Sequence, residues 1–255
     1  MFFQLVCHKI YTIVSAMKLT EYGMREWLIG GICTILLIAL CLTVVFYWKN
    51  PSLGYSLAGL VCFSYFCFAA FFRDPYRKIP ADENVLVSPA DGVVKDIELV
   101  KGAEENEFFE KQDIVRMGIY ISFFDVYINR APCCIEISDR KYRKGKNSGL
   151  KNRKASEAHE MMTLFCNAYL PEKKFPLILR QISGAAEKRI VCAAEPGSRL
   201  EKGDKFGMVK FGTRVELYLP AEQWLTMKVK IGDRVYAGET VIARVNMDMK
   251  PKTKK

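Results

Sequence analysis

The segment VKFGTRVELYLP, at positions 209–220, decides how the rest of the chain is interpreted. Apolar and polar side chains alternate along it, a period of two that is typical of a β-strand. The face expected to point inward consists of Val209, Phe211, Thr213, Val215, Leu217 and Leu219. Gly212 interrupts this pattern, and a glycine inside a strand weakens it unless another group approaches closely. The pair Gly212-Thr213 therefore needs a specific explanation.

The chain is long enough for one globular domain and an additional segment, since it has 255 residues, of which 50% are hydrophobic, and a net charge of +10. The additional segment is at the front, where residues 27–48 and 51–72 contain no charged side chain. At about 1.5 Å per residue, each stretch can cross a hydrocarbon core of about 30 Å. Lys49-Asn50 is the only hydrophilic break between them. Residues 27–72 are therefore predicted to form a transmembrane helical hairpin rather than two buried soluble helices.

Basic residues flank the hairpin on both outer sides and predict its orientation. Lys9, Lys18 and Arg25 precede it, and Arg73, Arg77 and Lys78 follow it. The positive-inside rule then puts both ends in the cytoplasm, so the chain is predicted to lie in the cell (inner) membrane with its body on the cytoplasmic side. Residues 1–26 form an N-terminal cytoplasmic extension. Within it, Met17 is a reasonable true start, which would make residues 1–16 an upstream addition.

Cysteine and histidine usage predicts a reducing compartment and no metal site. Four of the nine cysteines fall within the hydrophobic stretches, Cys133-Cys134 are adjacent, and no CxxC pair occurs. This pattern suggests neither a disulfide framework nor a zinc site. The only histidines, His8 and His159, leave little for a histidine-based metal site or a Ser-His-Asp triad.

Residues 73–246 are predicted to form a mostly β domain with some helix. Short strand-like runs such as CCIEISD, LILRQIS, RIVCAAE and TVIARV alternate with turn residues, which is typical of a sandwich or barrel. One helix is expected around residues 155–169, where apolar residues are three or four positions apart.

An internal repeat supports this architecture. Residues 196–209 and 231–245 share the pattern G-[SD]-R-[LV]-x-x-G-[DE], followed by an apolar strand. The pattern resembles the half-motif of biotinyl/lipoyl barrel-sandwich folds, so a barrel-sandwich-like domain is predicted. Carriers of that kind present a lysine at a hairpin between the halves, whereas Lys228 directly precedes the second copy. The repeat is therefore interpreted as architecture, and a biotinyl/lipoyl-type membrane adaptor remains an alternative.

Basic residues cluster at positions 140–154 and in the tail at 247–255. Most charged runs are solvated loops. Beside a membrane, however, each basic residue can contribute about 1 kcal/mol of attraction to anionic lipid headgroups. No nucleic-acid-binding motif or aromatic platform accompanies the charge, so nucleic acid is not predicted as a partner.

Three motifs together resemble one enzyme family. FFRDPYRKIPADENVLVSPADGVV begins at residue 71, ISFFDVYINRAP occupies 121–132, and RQISGAAEKRIVCAAEPGSRLEKGDKFGMVKFGTRVELYLP occupies 180–220. With YRKGK and KASE they resemble the short, membrane-anchored bacterial phosphatidylserine decarboxylases in order and spacing. The resemblance extends from about residue 27 to residue 245.

The resemblance implies a role for Gly212-Thr213. Enzymes of this family are made as proenzymes, in which a serine hydroxyl attacks the carbonyl of the preceding glycine and the chain is cut. The serine becomes a pyruvoyl group, whose ketone condenses with the lipid's amine and accepts electrons as carbon dioxide leaves. Thr213 occupies the serine position and would leave a 2-oxobutanoyl group instead. The large and small chains are expected to remain associated on a phospholipid substrate, and a homo-oligomer is left open.

Further site residues are implied by the same resemblance. Asp91, in SPADG, is expected to assist self-cleavage. Tyr127 stands where the family usually has histidine, and tyrosine is a poor base at neutral pH. Asn129 and Arg130 are candidates for the phosphate or carboxylate of the substrate, because arginine binds both in a bidentate manner. His159 is interpreted as a residue on a helix surface.

Two alternatives for the site remain open at this point. Asp91-Gly92 is also a common turn dipeptide, and Tyr127 could be a strand residue with a locally bonded hydroxyl. With threonine for serine and tyrosine for histidine, the chain could equally be an uncut, catalytically inactive member of the family.

Overall fold

The computed structural model describes residues 18–48, 50–100, 107–110, 112–145, 159–183, 190–210 and 214–246. The chain divides into two compact units, residues 1–76 and residues 77–255. The tail at 247–255 and most of the basic run at 140–154 lie outside the described residues.

The first unit contains a short 3₁₀ turn, Glu21–Gly23, and two long helices, Met24–Trp48 and Pro51–Ala70. Asn50 caps the second helix by accepting a hydrogen bond from the Leu53 N–H at 3.3 Å, and Pro51 occupies the first turn, where its missing N–H costs nothing. Both helices are long and apolar enough to cross a membrane, judged by length and composition. The predicted pair of N-terminal apolar helices is confirmed.

Small residues and one polar contact join the two helices. Gly54 faces Val45 so closely that a Cβ on Gly54 would lie 2.2 Å from a Val45 methyl group. The Tyr65 hydroxyl donates to the Trp27 carbonyl at 3.1 Å. Close packing at glycine is typical of helix pairs in lipid, where apolar contact alone gives no preference for protein over solvent.

The second unit is mostly β, as predicted. Its fourteen described strands are β1 (Val85–Val87), β2 (Gly92–Val100), β3 (Ile114–Tyr120), β4 (Ile128–Arg130), β5 (Cys134–Arg143), β6 (Met161–Leu170), β7 (Lys173–Ile182), β8 (Ile190–Cys192), β9 (Arg199–Leu200), β10 (Lys205–Val209), β11 (Arg214–Pro220), β12 (Leu225–Met227), β13 (Arg234–Val235) and β14 (Val241–Val245). An eight-stranded sheet has the order β13-β2-β3-β11-β7-β6-β5-β9. Two three-stranded sheets have the orders β1-β14-β12 and β4-β10-β8.

The internal repeat corresponds to two similar halves of this unit. In one half, β13 pairs with β2 and β14 pairs with β1; in the other, β9 pairs with β5 and β10 pairs with β4. The repeat glycines Gly197, Gly203, Gly232 and Gly238 all have positive φ, a conformation that glycine adopts without steric cost. Gly203 and Gly238 donate their N–H groups to the carbonyls of Ala131 and Ser88, at 2.9 and 2.8 Å. The two copies therefore build equivalent strand-turn-strand pieces.

The helix predicted around residues 155–169 is wrong over its described part. Residues 155–158 lie outside the described chain, and Met161–Leu170 is strand β6, paired with β5 on one side and β7 on the other. Thr163, Leu164, Phe165 and Cys166 are all buried, so both faces of the strand are covered. A strand buried on both faces loses its period of two, and its apolar residues can then imitate helical spacing.

The strand predicted over 209–220 is also not continuous. β10 ends at Val209 and belongs to a three-stranded sheet, whereas β11 starts at Arg214 and lies within the eight-stranded sheet. Residues 211–213, which include Gly212 and Thr213, lie outside the described residues. In β11 the polar residues Glu216 and Tyr218 are nearly as buried as Val215 and Leu217, and the Glu216 carboxylate accepts hydrogen bonds from Arg214 and from the Tyr218 hydroxyl.

An ion pair fixes the first residue of β11. The Arg214 guanidinium donates to both carboxylate oxygens of Asp96 at 2.7 Å and to Glu216 at 2.8 Å. It lies directly over Gly118, where a Cβ would approach Arg214 Nη2 to 2.2 Å. Gly118 thus provides the space that this bidentate pair requires.

Substituting Gly118→Ala should displace the Arg214 guanidinium and weaken its pair with Asp96. A hydrogen bond to a charged group contributes about 1.5–3 kcal/mol, and the partial exposure of Arg214 reduces this, so we expect a loss of roughly 1–2 kcal/mol in the free energy of unfolding. Urea denaturation in detergent micelles, followed by far-UV circular dichroism, measures it. In an Arg214→Ala background only Asp96 Oδ1, 2.8 Å from the new Cβ, remains close, so the same substitution should cost much less. An equal cost in both backgrounds would contradict this explanation.

Candidate active site

The chain on either side of residues 211–213 is held in defined positions. On the N-terminal side, the Val209 N–H donates to the Tyr127 carbonyl at 3.2 Å. On the C-terminal side, Arg214 pairs with Tyr120 of β3 and with Ile182 of β7. The break between β10, which ends at Val209, and β11, which starts at Arg214, is called the interruption below, and it lies between two anchored strand ends.

Several strands begin or end at the same edge of the large sheet as β11. Val93, Tyr120, Arg214, Ile182 and Met161 form one row of paired residues across β2, β3, β11, β7 and β6. β2, β11 and β6 run in one direction, and β3 and β7 run in the other. Neighbouring strands are about 4.8 Å apart, so the starts of β2 and β11 are separated by roughly 10 Å. Residues just beyond this row are brought to one edge by the register alone.

Asp91, two residues before Val93, is one of these residues. Its carboxylate accepts hydrogen bonds from Arg77 Nη2 at 2.6 Å and from the Ala237 N–H at 2.8 Å, and it is 4% exposed. Burial raises the pKa of Asp91 above its usual value, although Arg77 and the Ala237 N–H act in the opposite direction. The nearby Asp125 carboxylate adds to the increase. Asp91 is thus a buried acid with an increased affinity for a proton.

Asp125 is a second buried acid at this edge, and the sequence reasoning missed it. It closes the turn after β3 by accepting a hydrogen bond from the Ser122 N–H at 2.8 Å, and it also contacts the Arg234 guanidinium. The available signal was a charged residue inside the otherwise apolar run ISFFDVYI. The negative charge of Asp125 disfavours the charged form of Asp91.

Tyr127 is buried and its hydroxyl is bonded locally. The hydroxyl donates to the Phe123 carbonyl at 2.7 Å, and the side chain is 2% exposed. The residue's carbonyl holds Val209, as described above. Tyr127 therefore supports the strand end that precedes the interruption.

Asn129 and Gln181 form a buried amide pair between two sheets. Asn129 is in β4, and its Oδ1 accepts a hydrogen bond from Gln181 Nε2, on β7, at 2.7 Å. Both side chains are essentially inaccessible to solvent. Asn129 Nδ2 and Gln181 Oε1 have no hydrogen-bond partner among the described residues. Since Gln181 pairs with Val215, this unsatisfied donor and acceptor lie close to the start of β11.

The Arg130 side chain already makes contacts within the protein. Its Nη1 donates to the Gly203 carbonyl at 2.9 Å, and the side chain packs against Gly238. The guanidinium therefore has a fixed position between the two copies of the repeat.

Glu160 and Ser183 are further buried polar residues at the edge, immediately beyond the row that contains Met161 and Ile182. Ser183 donates through its N–H to the Glu160 carbonyl at 3.0 Å and through its hydroxyl to the Glu160 carboxylate at 3.2 Å. His159 precedes this pair in an irregular segment, so its prediction as a helix-surface residue is wrong. The reason is that the strand β6, and not a helix, follows it.

The structure thus brings Asp91, Tyr127, Asn129 and Arg130 to the strands around the interruption, and Gly212 and Thr213 themselves lie outside the described residues. Arg77, Asp125 and Gln181 were missed by sequence reasoning. Gln181 had one usable signal, a polar residue within the apolar run LILRQIS. Arg77 had none, because its partner Asp91 becomes adjacent only in the folded chain.

A separate cavity of about 600 Å³ lies at the opposite end of β6, where Tyr169 and Leu170 meet Cys133, Cys134 and Arg199. It contains none of the predicted site residues. The candidate active site is therefore the polar edge at the start of β11.

Comparisons with known proteins agree on one family. The family model for phosphatidylserine decarboxylase matches residues 65–243. A phosphatidylserine decarboxylase proenzyme of Carboxydothermus hydrogenoformans is 42% identical over 190 residues, covering 73% of this chain and 84% of that protein. Proenzymes of the same name from Symbiobacterium thermophilum and Ruegeria pomeroyi are each 36% identical, covering 82% and 79% of this chain and 90% and 88% of theirs. No solved structure matches.

The amide pair yields a stability prediction. Gln181→Leu leaves an Asn129 oxygen buried without a donor, and Asn129→Leu leaves the Gln181 amide without its acceptor, so each should cost about 1–3 kcal/mol in the free energy of unfolding. The double variant leaves neither amide in place and should cost clearly less than the sum. Urea denaturation monitored by circular dichroism gives the three values.

The exposed pair of Asn167 and Ser138, whose side chains are 2.8 Å apart, is a matched control that should show little effect. If the two single losses in the free energy of unfolding add up to that of the double variant, the hydrogen bond between Asn129 and Gln181 contributes nothing to stability.

Proposed function

The chain belongs to the phosphatidylserine decarboxylase family, and from that premise we propose that it is a proenzyme that cuts itself between Gly212 and Thr213 and decarboxylates phosphatidylserine to phosphatidylethanolamine. The observation that carries the proposal is the interruption between Val209 and Arg214, next to buried acids at one sheet edge.

The cut consists of two bond exchanges within the chain. The Thr213 hydroxyl oxygen attacks the Gly212 carbonyl carbon, its proton passes to a base, and the peptide nitrogen leaves as an amine, so that an ester replaces the amide. Removal of the Thr213 α-proton then expels the Gly212 carboxylate from the β-carbon. Water finally replaces the enamine nitrogen, which leaves as ammonia. The products are residues 1–212 and a 43-residue chain that begins with a 2-oxobutanoyl group.

Asp91 is the proposed base for the first exchange. In place of the family's usual histidine this chain has Tyr127, whose hydroxyl donates to a main-chain carbonyl. A carboxylate whose pKa is raised by burial is a stronger base than an ordinary aspartate. Arg77 and the Ala237 N–H fix the orientation of this carboxylate, so that proton transfer takes place directly or through one water molecule.

Asn129 and Gln181 fit the requirements of the 2-oxoacyl group. Asn129 Nδ2 is a buried donor with no acceptor among the described residues, and it lies near the strand that would carry the group. We assign it to the oxygen on which negative charge develops, because a preorganised donor in a dry site stabilises such charge strongly. The group's ketone supplies the electron sink for decarboxylation. Gln181 holds the Asn129 amide in place through its hydrogen bond to Oδ1.

Arg130 is the proposed ligand for the phosphate or carboxylate of the substrate. Its fixed position against Gly203 gives a preorganised guanidinium, which costs less side-chain entropy on binding than a mobile one. Asn129 is too deeply buried to bind the headgroup directly, so its proposed role is in the reaction itself.

We propose that the chain consists of a membrane anchor followed by a catalytic domain. Residues 27–72 are the membrane anchor, and residues 73–246 are the catalytic domain, on the cytoplasmic face of the inner membrane. The two apolar helices support membrane association, and the basic flanks support this orientation. The cut chains are expected to stay together because β11 lies between β3 and β7 in the large sheet.

An uncut, inactive relative is the one competing proposal that an observation favours. The Tyr127 hydroxyl is bonded to Phe123, and no described histidine belongs to the row around Arg214. A membrane adaptor with a modified Lys228 has no comparable support, since the family match extends through residues 65–243.

Intact mass spectrometry of the purified chain separates the two proposals. Cleavage should give two fragments, residues 1–212 and residues 213–255. The shorter fragment should carry a carbonyl that borohydride reduces. Thr213→Ala should give one full-length species. Thr213→Ser removes one methyl group, and relief of steric crowding by about 1–3 kcal/mol should speed cleavage roughly tenfold to hundredfold. A wild-type chain that remains whole contradicts the proposed activity, and if Thr213→Ser also remains whole, the missing histidine is the cause.

The role of Asp91 predicts a pH dependence of self-cleavage. The reaction needs the carboxylate form, so the rate should fall on acidification, and the raised pKa puts this fall at a higher pH than for an ordinary aspartate. Arg77→Gln removes a charge that lowers the pKa, so the fall should move to still higher pH. The appearance of the short chain from freshly synthesised precursor, measured across pH, gives the profile.

Arg244→Gln is the control, because it removes an exposed ion pair with Asp82 and should leave the profile unchanged. If Arg77→Gln leaves the profile in place or moves it to lower pH, Asp91 is not the base. Asp91→Asn should slow cleavage at every pH.

A further inference from the structure

The turn after β3 carries two exposed aromatic side chains. Phe123 is 58% exposed and Phe124 is 81% exposed, and their rings meet edge to face with centroids 5.3 Å apart. The turn is rigid, since Asp125 bonds the Ser122 N–H and contacts Arg234. Two adjacent phenylalanines on a fixed turn present a large apolar area to the surroundings.

Two exposed tyrosines flank this turn, and each has a cation over its ring. Lys95 Nζ lies 5.7 Å from the centre of the Tyr120 ring. The Arg234 guanidinium lies 5.8 Å from the centre of the Tyr236 ring. Tyr120 and Tyr236 are 43% and 41% exposed. We call Tyr120, Phe123, Phe124 and Tyr236, with Lys95 and Arg234, the aromatic-basic patch.

We propose that the aromatic-basic patch inserts into the headgroup layer of an anionic bilayer. Aromatic rings with polar or charged edges concentrate at the membrane–water interface, where the ring contacts acyl chains and the polar end remains hydrated. Each basic side chain close to anionic lipid adds about 1 kcal/mol of attraction. Phe123 and Phe124 supply the apolar contact, and Lys95 and Arg234 supply the charge.

The position of the patch connects it to the candidate active site. Tyr120 pairs with Arg214, Asp125 follows Phe124 directly, and Tyr127 lies three residues after Phe124. Insertion of the turn would therefore bring lipid headgroups to the edge where the interruption lies. This consequence rests on the proposed function, whereas insertion itself does not.

Charge favours a lipid surface over a second copy of the chain. In a symmetric dimer through this patch, each copy would present the same surface, so Lys95 and Arg234 would approach their own equivalents. Like charges brought together at an interface are costly. Asp125 offsets part of the Arg234 charge and Glu239 lies 3.5 Å from Arg77, whereas no carboxylate among the described residues pairs with Lys95, so its charge maintains this cost.

Photo-crosslinking of the full chain in vesicles tests the proposal. Phe124 is replaced by p-benzoylphenylalanine, and in a matched variant the same amino acid replaces Leu99, which is 74% exposed at the opposite end of β2. Both variants carry Thr213→Ala, so that each remains one chain. They are reconstituted in phosphatidylcholine, or in an equimolar mixture of phosphatidylcholine and phosphatidylglycerol, and lipid adducts are measured by mass.

We expect about fivefold or more lipid adduct at position 124 than at position 99, with a further increase in the anionic vesicles. Lys95→Glu should reduce that increase. Equal labelling at the two positions overturns the proposal, and so does a crosslinked dimer at position 124 without lipid adduct. Because labelling requires no cleavage, this outcome is independent of whether the wild-type chain cuts itself.

Discussion

The bidentate pair between Arg214 and Asp96 is the interaction on which the proposed site depends. It fixes the first residue of the central strand β11, with Glu216 as a second acceptor and Gly118 providing the space. Although burial acts in the opposite direction, the hydrogen bonds and charge of Arg214 hold the pKa of Asp96 below its usual value, so the pair remains ionised well into the acid range. The proposed intramolecular attack depends on orientation, and a firmly held adjoining strand end favours it.

The edge around this strand end carries an unusual number of buried polar groups. Asp91, Asp125 and Glu160 are nearly inaccessible, and each carboxylate accepts hydrogen bonds or contacts a guanidinium. Asn129 and Gln181 differ, since each has one polar atom without a partner among the described residues. Native proteins rarely leave such atoms unsatisfied, and departures from this rule tend to occur at functional sites. The unsatisfied amide is therefore consistent with the role proposed for Asn129 beside the 2-oxoacyl group.

The sequence predicted the parts of the fold that local patterns encode. The hydrophobic stretches, the short strands and the repeat glycines such as Gly203 follow from composition, period and turn chemistry. β6 was predicted as a helix because both of its faces are covered, which hides the period of two. Asp91 and Tyr127 were identified through family resemblance, whereas Arg77, which orients Asp91, could not be found. Its contact spans the fold and leaves no local pattern, so only the structure reveals it.

The replacement of histidine by tyrosine changes how the site must handle protons. A histidine relay would separate two tasks, since the histidine accepts the proton and an aspartate orients the histidine. In the proposed mechanism both tasks fall on the Asp91 carboxylate, and burial has two opposite effects on its strength as a base. Burial raises the pKa and makes a stronger base, but it also reduces the fraction that is ionised. Arg77, 2.6 Å away, limits this effect by favouring the charged form. If Asp91 is the base, as proposed, the paired arginine is therefore the feature that keeps this buried aspartate ionised enough to act without a histidine.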